Sequence, residues 1–367
     1  MEIRRVEASY LTHVPFTPPP FLKEPSRGNC VVLEIETDNG IVGYGVTGGL
    51  AHSVVAFINR EAAPFLKGQD PMLTERIGSQ MLRKFNQRAS TGVVTSAMSA
   101  IDIALWDIKG KALGQPVWRL LGGAQNPVPA YVTFGLPEYD RDGLAEAAKY
   151  WVGQGQNKLK MVVGVVGNSQ DPDEDAARVR IVRETVGPDV QLMMDANCLM
   201  SFHHALRLCK LCEPYNLTWF EEPVYRNDAL LLADLRRQTT IPLATGQNEG
   251  HRWRHRDFLI HHSVDILQPN VVNVGGFTEA VKVAGMAQAF NIPIAGGGSW
   301  PLHNMHLQAG MSNGWRVEFH YWRWMLDEAI WQGGPHPVKG WVTLPDTPGL
   351  GLSPRPGIIK EYREATP

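Results

Sequence analysis

Three oxygen-bearing side chains recur at an even interval in this 367-residue chain. Asp195 stands in LMMDAN, Glu221 in TWFEEP and Gln247 in IPLATGQNEG, with 26 residues separating each from the next. That interval is about one strand–helix unit of a parallel barrel, so all three should emerge at one rim. Hard oxygen ligands converging there suit Mg²⁺. One step earlier, NKLKMVVG carries Lys158 and Lys160 two apart on a strand. Residues i and i+2 face the same side, so both amines can point at whatever the ion holds. A lysine starts near ~10.4, and a second amine plus a cation would disfavour its charged form and lower that value. Lys160 is the candidate base, and the chemistry is removal of a proton from the carbon next to a carboxylate.

The elements that must position these groups are legible in the rest of the chain. From Val128 onward, near-continuous apolar strands repeat: VPAYVTF, NKLKMVV, QLMMDAN, LTWFEEP, IPLATGQ, VDILQPN, NIPIAGG and WRVEFH. Most are separated by charged helical stretches, as expected of parallel strands buried on both faces. Eight of them predict an α/β fold, a TIM-type barrel of the modified (β/α)₇β kind, over 126–335. Before it, strands at 2–10 and 30–37, a hairpin turn at Asp38-Asn39-Gly40 and IVGYGV predict an N-terminal α+β capping domain over 1–125. SAIDIALWDIKGKALGQPVWRLLGG reads as an amphipathic helix with Ile101, Leu105, Ile108 and Ala112 on one stripe. The Pro/Gly-rich segment 336–367 should run back against the capping domain. Pro15–Arg27, with Lys23 and Arg27, reads either as a solvated loop or as a lid over the neighbouring site.

Composition narrows the function classes. With 44% apolar and 20% charged residues the chain buries an ordinary core. A net charge of −2 gives no reason to expect nucleic acid or an anionic membrane as partner. No apolar run approaches the roughly 20 residues of a membrane span. The start, MEIRRVEASY, lacks a secretory signal, and four cysteines make no disulfide framework, which fits a cytoplasmic protein. Cys209 and Cys212 form a lone CxxC, read as a buried helix face rather than a zinc site.

Taken together, Lys-x-Lys, Asp-x-Asn, Glu-Glu-Pro, the GQNEG run and the SAIDIALWDIKGKALGQPVWRLLGG helix resemble the mandelate racemase subgroup of the enolase superfamily, proteins similar to mandelate racemase and muconate lactonizing enzyme. The resemblance spans nearly the whole chain. It implies a Mg²⁺ cofactor, a small carboxylate substrate such as a sugar acid or diacid, and a homo-oligomer. It also implies Asp195, Glu221 and residue 247 as metal ligands, Lys160 as base, and Lys158 as a substrate contact. Asn197 and Glu222 would orient the ligands, with Asn197 facing substrate. Glu318 matches an acid that hydrogen-bonds the substrate carboxylate and must be protonated to do so.

The chain departs from that pattern at several positions. Position 247 is Gln where the subgroup has Glu, which removes one negative charge; Glu249 is placed to compensate if the loop bends. The second base of the family is often a His after strand seven, activated by an Asp after strand six. Here those places read AGGGSW and Asn270, the latter a candidate substrate contact. His303 and His306 follow, with His303 the candidate donor, and His320 shares the face of Glu318. His251 and His255 read as a solvated, Trp-anchored helix start rather than a metal pair. Arg252 is a candidate partner for a distal carboxylate, and His52, in the Gly48–His52 stretch, a candidate substrate contact. Three activities remain open: an acid-sugar dehydratase giving a 2-keto-3-deoxy acid, a racemase or epimerase of a 2-hydroxy or amino acid that needs His303 as a second base, and a non-catalytic acid-binding relative.

Overall fold

The computed structural model describes residues 1–19, 21, 26–136, 139–164 and 171–364. Strands β1 (Ile3–Phe16), β2 (Ser26–Thr37) and β3 (Val42–Thr47) form an antiparallel sheet in chain order. Gly40, at φ 84°, closes the predicted turn between β2 and β3. The long helix Val93–Leu113 lies directly on β3. A Cβ at Gly45 would stand 2.0 Å from the Ala100 carbonyl oxygen and one at Gly43 2.2 Å from that of Ala104. Only glycine permits this approach, which buries Ile101, Leu105 and Ile108 against the sheet. Ala112, the fourth member of the expected stripe, is exposed.

The other side of the same helix faces the barrel. Asp102, fully buried, accepts hydrogen bonds from the backbone N–H of Thr278 at 2.9 Å and its hydroxyl at 2.5 Å. Burial raises its carboxyl to about 7, against the pull of those two donors. The folded-state value lies above the unfolded one, near 3.9. This group's contribution to stability is therefore present below pH ~4 and is lost as pH rises through 7, by up to about 4 kcal/mol. An amide can keep both bonds without the charge. Asp102→Asn is thus expected to flatten the fall in stability between pH 5 and pH 8. Urea unfolding at the two values checks this; an equally steep fall in the variant would contradict it.

Eight parallel strands close the barrel: β4 (Val128–Gly135), β5 (Lys158–Val162), β6 (Gln191–Asp195), β7 (Phe220–Glu221), β8 (Leu243–Thr245), β9 (Ile266–Leu267), β10 (Ile294–Ala295) and β11 (Gly314–His320), with β11 pairing β4. Tyr131, Met193, Trp219, Ala244, Ile266 and Ala295 fill its interior. Cys209 and Cys212 are buried on helix Phe202–Cys212, with no disulfide.

The C-terminal segment does two things. Trp341–Val342 pairs with the start of β4 at the barrel floor. Farther on, Arg363 bridges to Leu11 and pairs with Glu7, and His52 pairs with Glu364, both on the capping domain. Part of the expected lid, residues 20 and 22–25 including Lys23, lies outside the described residues. Pro15 and Arg27 pair across β1 and β2. Among the described residues no helix is long and apolar enough to cross a membrane.

Candidate active site

Parallel strands put their C-terminal ends at one mouth, and the polar groups gather there. Asp195 and Glu221 are the last residues of β6 and β7 and pair directly. Glu318 comes from β11. Between the three carboxylates sits the ammonium of Lys160, 3.1 Å from Asp195 Oδ2, 2.6 Å from Glu221 Oε1 and 2.9 Å from Glu318 Oε1. All four side chains are buried. Glu221 Oε2 also accepts from the Trp219 indole at 3.0 Å and the Gln268 amide at 2.9 Å. Glu318 accepts from the Thr133 hydroxyl at 2.5 Å and the Ser299 N–H at 2.6 Å. Thr133, Trp219 and Gln268 carry no motif, and only their inward-facing strand positions signal them.

This geometry revises the role expected of Lys160. Burial alone would push its pKa down, but the three carboxylates outweigh burial and hold it well above the ordinary lysine value. The surrounding carboxylates thus favour its ammonium form. Glu318 is revised as well: burial favours its neutral form, yet Lys160 and the hydrogen bonds from Thr133 and Ser299 bring it below the usual range, so it is a carboxylate rather than a protonated donor. Burial and neighbouring Asp195 push Glu221 well above that range, against Lys160.

Lys158 does face the same side as Lys160, but two residues nearer the barrel floor, about 6–7 Å away along the strand. Its ammonium donates to Asn157 Oδ1 at 3.1 Å and the Gly340 carbonyl at 3.0 Å, over the Trp341 ring. It seals the floor and takes no part in the mouth. The residue level with Asp195 on β5 is Val162.

Gln247 lies two residues past the end of β8. Its amide nitrogen donates to Glu222 Oε2 at 2.8 Å, and Asn227 donates to Glu222 Oε1 at 2.9 Å. A glutamate at 247 would set two carboxylates against each other, so the amide matches its neighbour. Glu249 does not supplement the site, because Arg254 at 3.2 Å and Asn227 at 3.4 Å hold it. Asn197 stands exposed at the rim with φ 47°, and its N–H fixes Asp195 Oδ1 at 2.9 Å.

Four other candidates are committed elsewhere. Asn270 spends its amide on the Gly298 carbonyl and its oxygen on Val272 N–H and Asn304, tying two loops together. Arg252 pairs with Glu279 and lies over Trp253, outside the mouth. His52 is exposed, 2.7 Å from Glu364 and edge-on to Tyr10. His303 is fully buried between Trp300 and Trp331, with both ring nitrogens unpartnered among the described residues; burial brings it down to about 3. His251 and His255 are buried rather than solvated, bonded to Asn86 and to the carbonyls of His251 and Gly246.

His320 is the final residue of β11, two after Glu318 on the same face. It is partly exposed and stacks on Tyr321 at 5.8 Å and 19°. Burial lowers its pKa, against Glu318, so the ring is neutral at pH 7. A cavity of about 300 Å³ opens between the capping domain and the barrel, lined by Gly48, Leu50, Ser96, Asn248, Gly298 and Trp300.

The residues fit a hard divalent cation. The carboxyl groups of Asp195, Glu221 and Glu318 lie around one ammonium, a set of hard oxygen donors. Among the described residues no three His, Cys, Asp or Glu side chains form a ready metal shell.

Comparison with known proteins agrees with this architecture. Residues 21–122 match the mandelate racemase / muconate lactonizing enzyme N-terminal domain, and residues 143–358 match the enolase C-terminal domain-like family. The chain is 31% identical to arabinonate dehydratase of Saccharolobus solfataricus over 91% of this chain and 90% of that one. It is 34% identical to D-galactarolactone cycloisomerase of Agrobacterium fabrum over 92% of each. A crystal structure of a racemase from Streptomyces coelicolor A3(2) with bound magnesium superposes with a TM-score of 0.89 at 28% identity, covering 99% of this chain and 100% of that one. On the strength of both matched domains, the chain belongs to the mandelate racemase / muconate lactonizing enzyme family of the enolase superfamily.

Proposed function

We propose that the protein is a Mg²⁺-dependent lyase that dehydrates a sugar acid to its 2-keto-3-deoxy product. The observation that carries this is the buried carboxylate layer around Lys160 at the barrel mouth, in a chain related to arabinonate dehydratase over nine-tenths of its length. Asp195, Glu221 and the Gln247 amide oxygen would hold the ion; Lys160 occupies only one of the acceptor sites on Glu221 Oε1. When bound, Mg²⁺ neutralises the negative charge that builds on the substrate carboxylate as its α-proton leaves. Lys160 adds a fixed positive charge, and Glu318 anchors that ammonium from the far side. Asn197 holds Asp195 in place from the rim.

The relationship to D-galactarolactone cycloisomerase favours a second reading, an isomerase that begins with the same α-proton removal and then expels a ring oxygen instead of water. A racemase requires proton-carrying groups on both faces of the substrate. Gly298 lies in the loop after β10, and His303 is turned into the protein interior.

Incubating the protein and Mg²⁺ with a panel of five- and six-carbon aldonic and aldaric acids is expected to yield a 2-keto-3-deoxy product from at least one, with turnover abolished by a chelator. Binding of an acid with no turnover of any panel member would overturn the proposal in favour of a non-catalytic acid-binding protein.

A further inference from the structure

Removal of an α-proton needs a group that can reach the substrate, and the fully buried Lys160 Nζ is enclosed by carboxylate oxygens of Asp195, Glu221 and Glu318 at 3.1, 2.6 and 2.9 Å. Val162, level with Asp195 on β5, carries no proton-transferring group. Of the residues that end the eight barrel strands, His320 alone carries an imidazole. Its position is built. Glu318, two residues earlier and fully buried, reaches Lys160, so His320 faces the barrel axis one layer nearer solvent. The ring plane is fixed by stacking on Tyr321. Its Nδ1 is buried without a partner among the described residues, and the residue as a whole remains partly exposed. The other histidines near the mouth do not qualify: His303 is walled in by two tryptophans, His306 bonds the Leu350 carbonyl, and His251 bonds Asn86.

We propose that His320 is the proton-transfer residue of this site, serving one face of the substrate in both steps. The neutral imidazole takes the Cα proton, and the C–H electron pair passes into the enediolate. That pair then forms the Cα=Cβ bond as the β-hydroxyl leaves, taking the same proton from the imidazolium and departing as water. The enol product tautomerises to the 2-keto-3-deoxy acid, and His320 is neutral again. One group shuttling one proton explains how the site works without the strand-seven histidine. The inference rests on the dehydratase reading.

The test uses full-length protein with Mg²⁺ and whichever panel acid the wild type turns over. His320→Asn and His320→Gln are expected to lose about 10²–10⁴-fold in kcat with KM little changed. Both should keep the wild-type unfolding midpoint and lose exchange of the Cα proton with D₂O. Added imidazole is expected to restore part of the turnover of His320→Gly, which neither a structural role nor misfolding would allow. Wild-type-like kcat in His320→Gln, or no imidazole rescue of a folded His320→Gly, would overturn the assignment while leaving the dehydratase reading intact. Absence of both turnover and Cα exchange in the wild type would remove that reading, and this one with it.

Discussion

Lys160→Met is expected to unfold about 3–5 kcal/mol more easily than the wild type and to turn over no substrate. Removing one partner of a buried ion cluster strands the other charges, and that penalty exceeds the net worth of the pairing itself. Here three carboxylates share the single ammonium, and none is exposed enough to recruit water. Restoring the balance should restore part of the fold. The double variant Lys160→Met/Glu318→Gln removes one charge of each sign, so its loss should be smaller than that of Lys160→Met alone, a non-additivity that a double-mutant cycle in urea measures. A single variant as stable as the wild type would mean that the layer is not held together by Lys160.

Asp195→Asn should have the opposite effect on stability. It removes one charge from an over-anionic cluster, so without metal the variant is expected to be at least as stable as the wild type. Added Mg²⁺ should raise the unfolding midpoint of the wild type, by about 2.7 kcal/mol at a hundredfold excess over Kd, and leave that of Asp195→Asn in place. Turnover should fall about 10²–10³-fold. Equal Mg²⁺ stabilisation of the two proteins would remove Asp195 from the ion's ligands.

The barrel could be read from the sequence because its strands are apolar on both faces and therefore appear as unbroken runs. The rim positions of Asp195 and Glu221 followed from an even spacing that the strand–helix repeat enforces. What could not be read was where each strand stops. NKLKMVVG continues apolar past Lys160, and only the pairing of Val162 with Asp195 shows that the last rung is a valine. A shift of two residues keeps the face but moves a side chain about 6–7 Å along the barrel, enough to send Lys158 to the floor. His303 was lost for a different reason. The helix beginning at Pro301 is evident, but its rotation is set by Trp300 and Trp331, the second of them thirty residues downstream. Glu249, Arg252 and His52 look available in the sequence because Arg254, Glu279 and Glu364, which occupy them, are recruited only by the folded chain. The charge states of Lys160 and Glu318 depend on each other across 158 positions of chain, beyond any local pattern.

The tail contacts to β1 bear on how the chain is made. Strand β1 has one neighbour in its sheet, and its other edge receives the Glu364 N–H at the Tyr10 carbonyl and the bridge from Leu11 to Arg363. Those partners are synthesised long after β1. At ordinary translation speeds roughly 20–70 s pass between β1 and these partners, and for that time the strand has an uncovered edge. Such an edge is a template for pairing with other nascent chains. Deleting Arg363 and Glu364 should therefore show first as aggregation during expression, before any defect in the purified barrel.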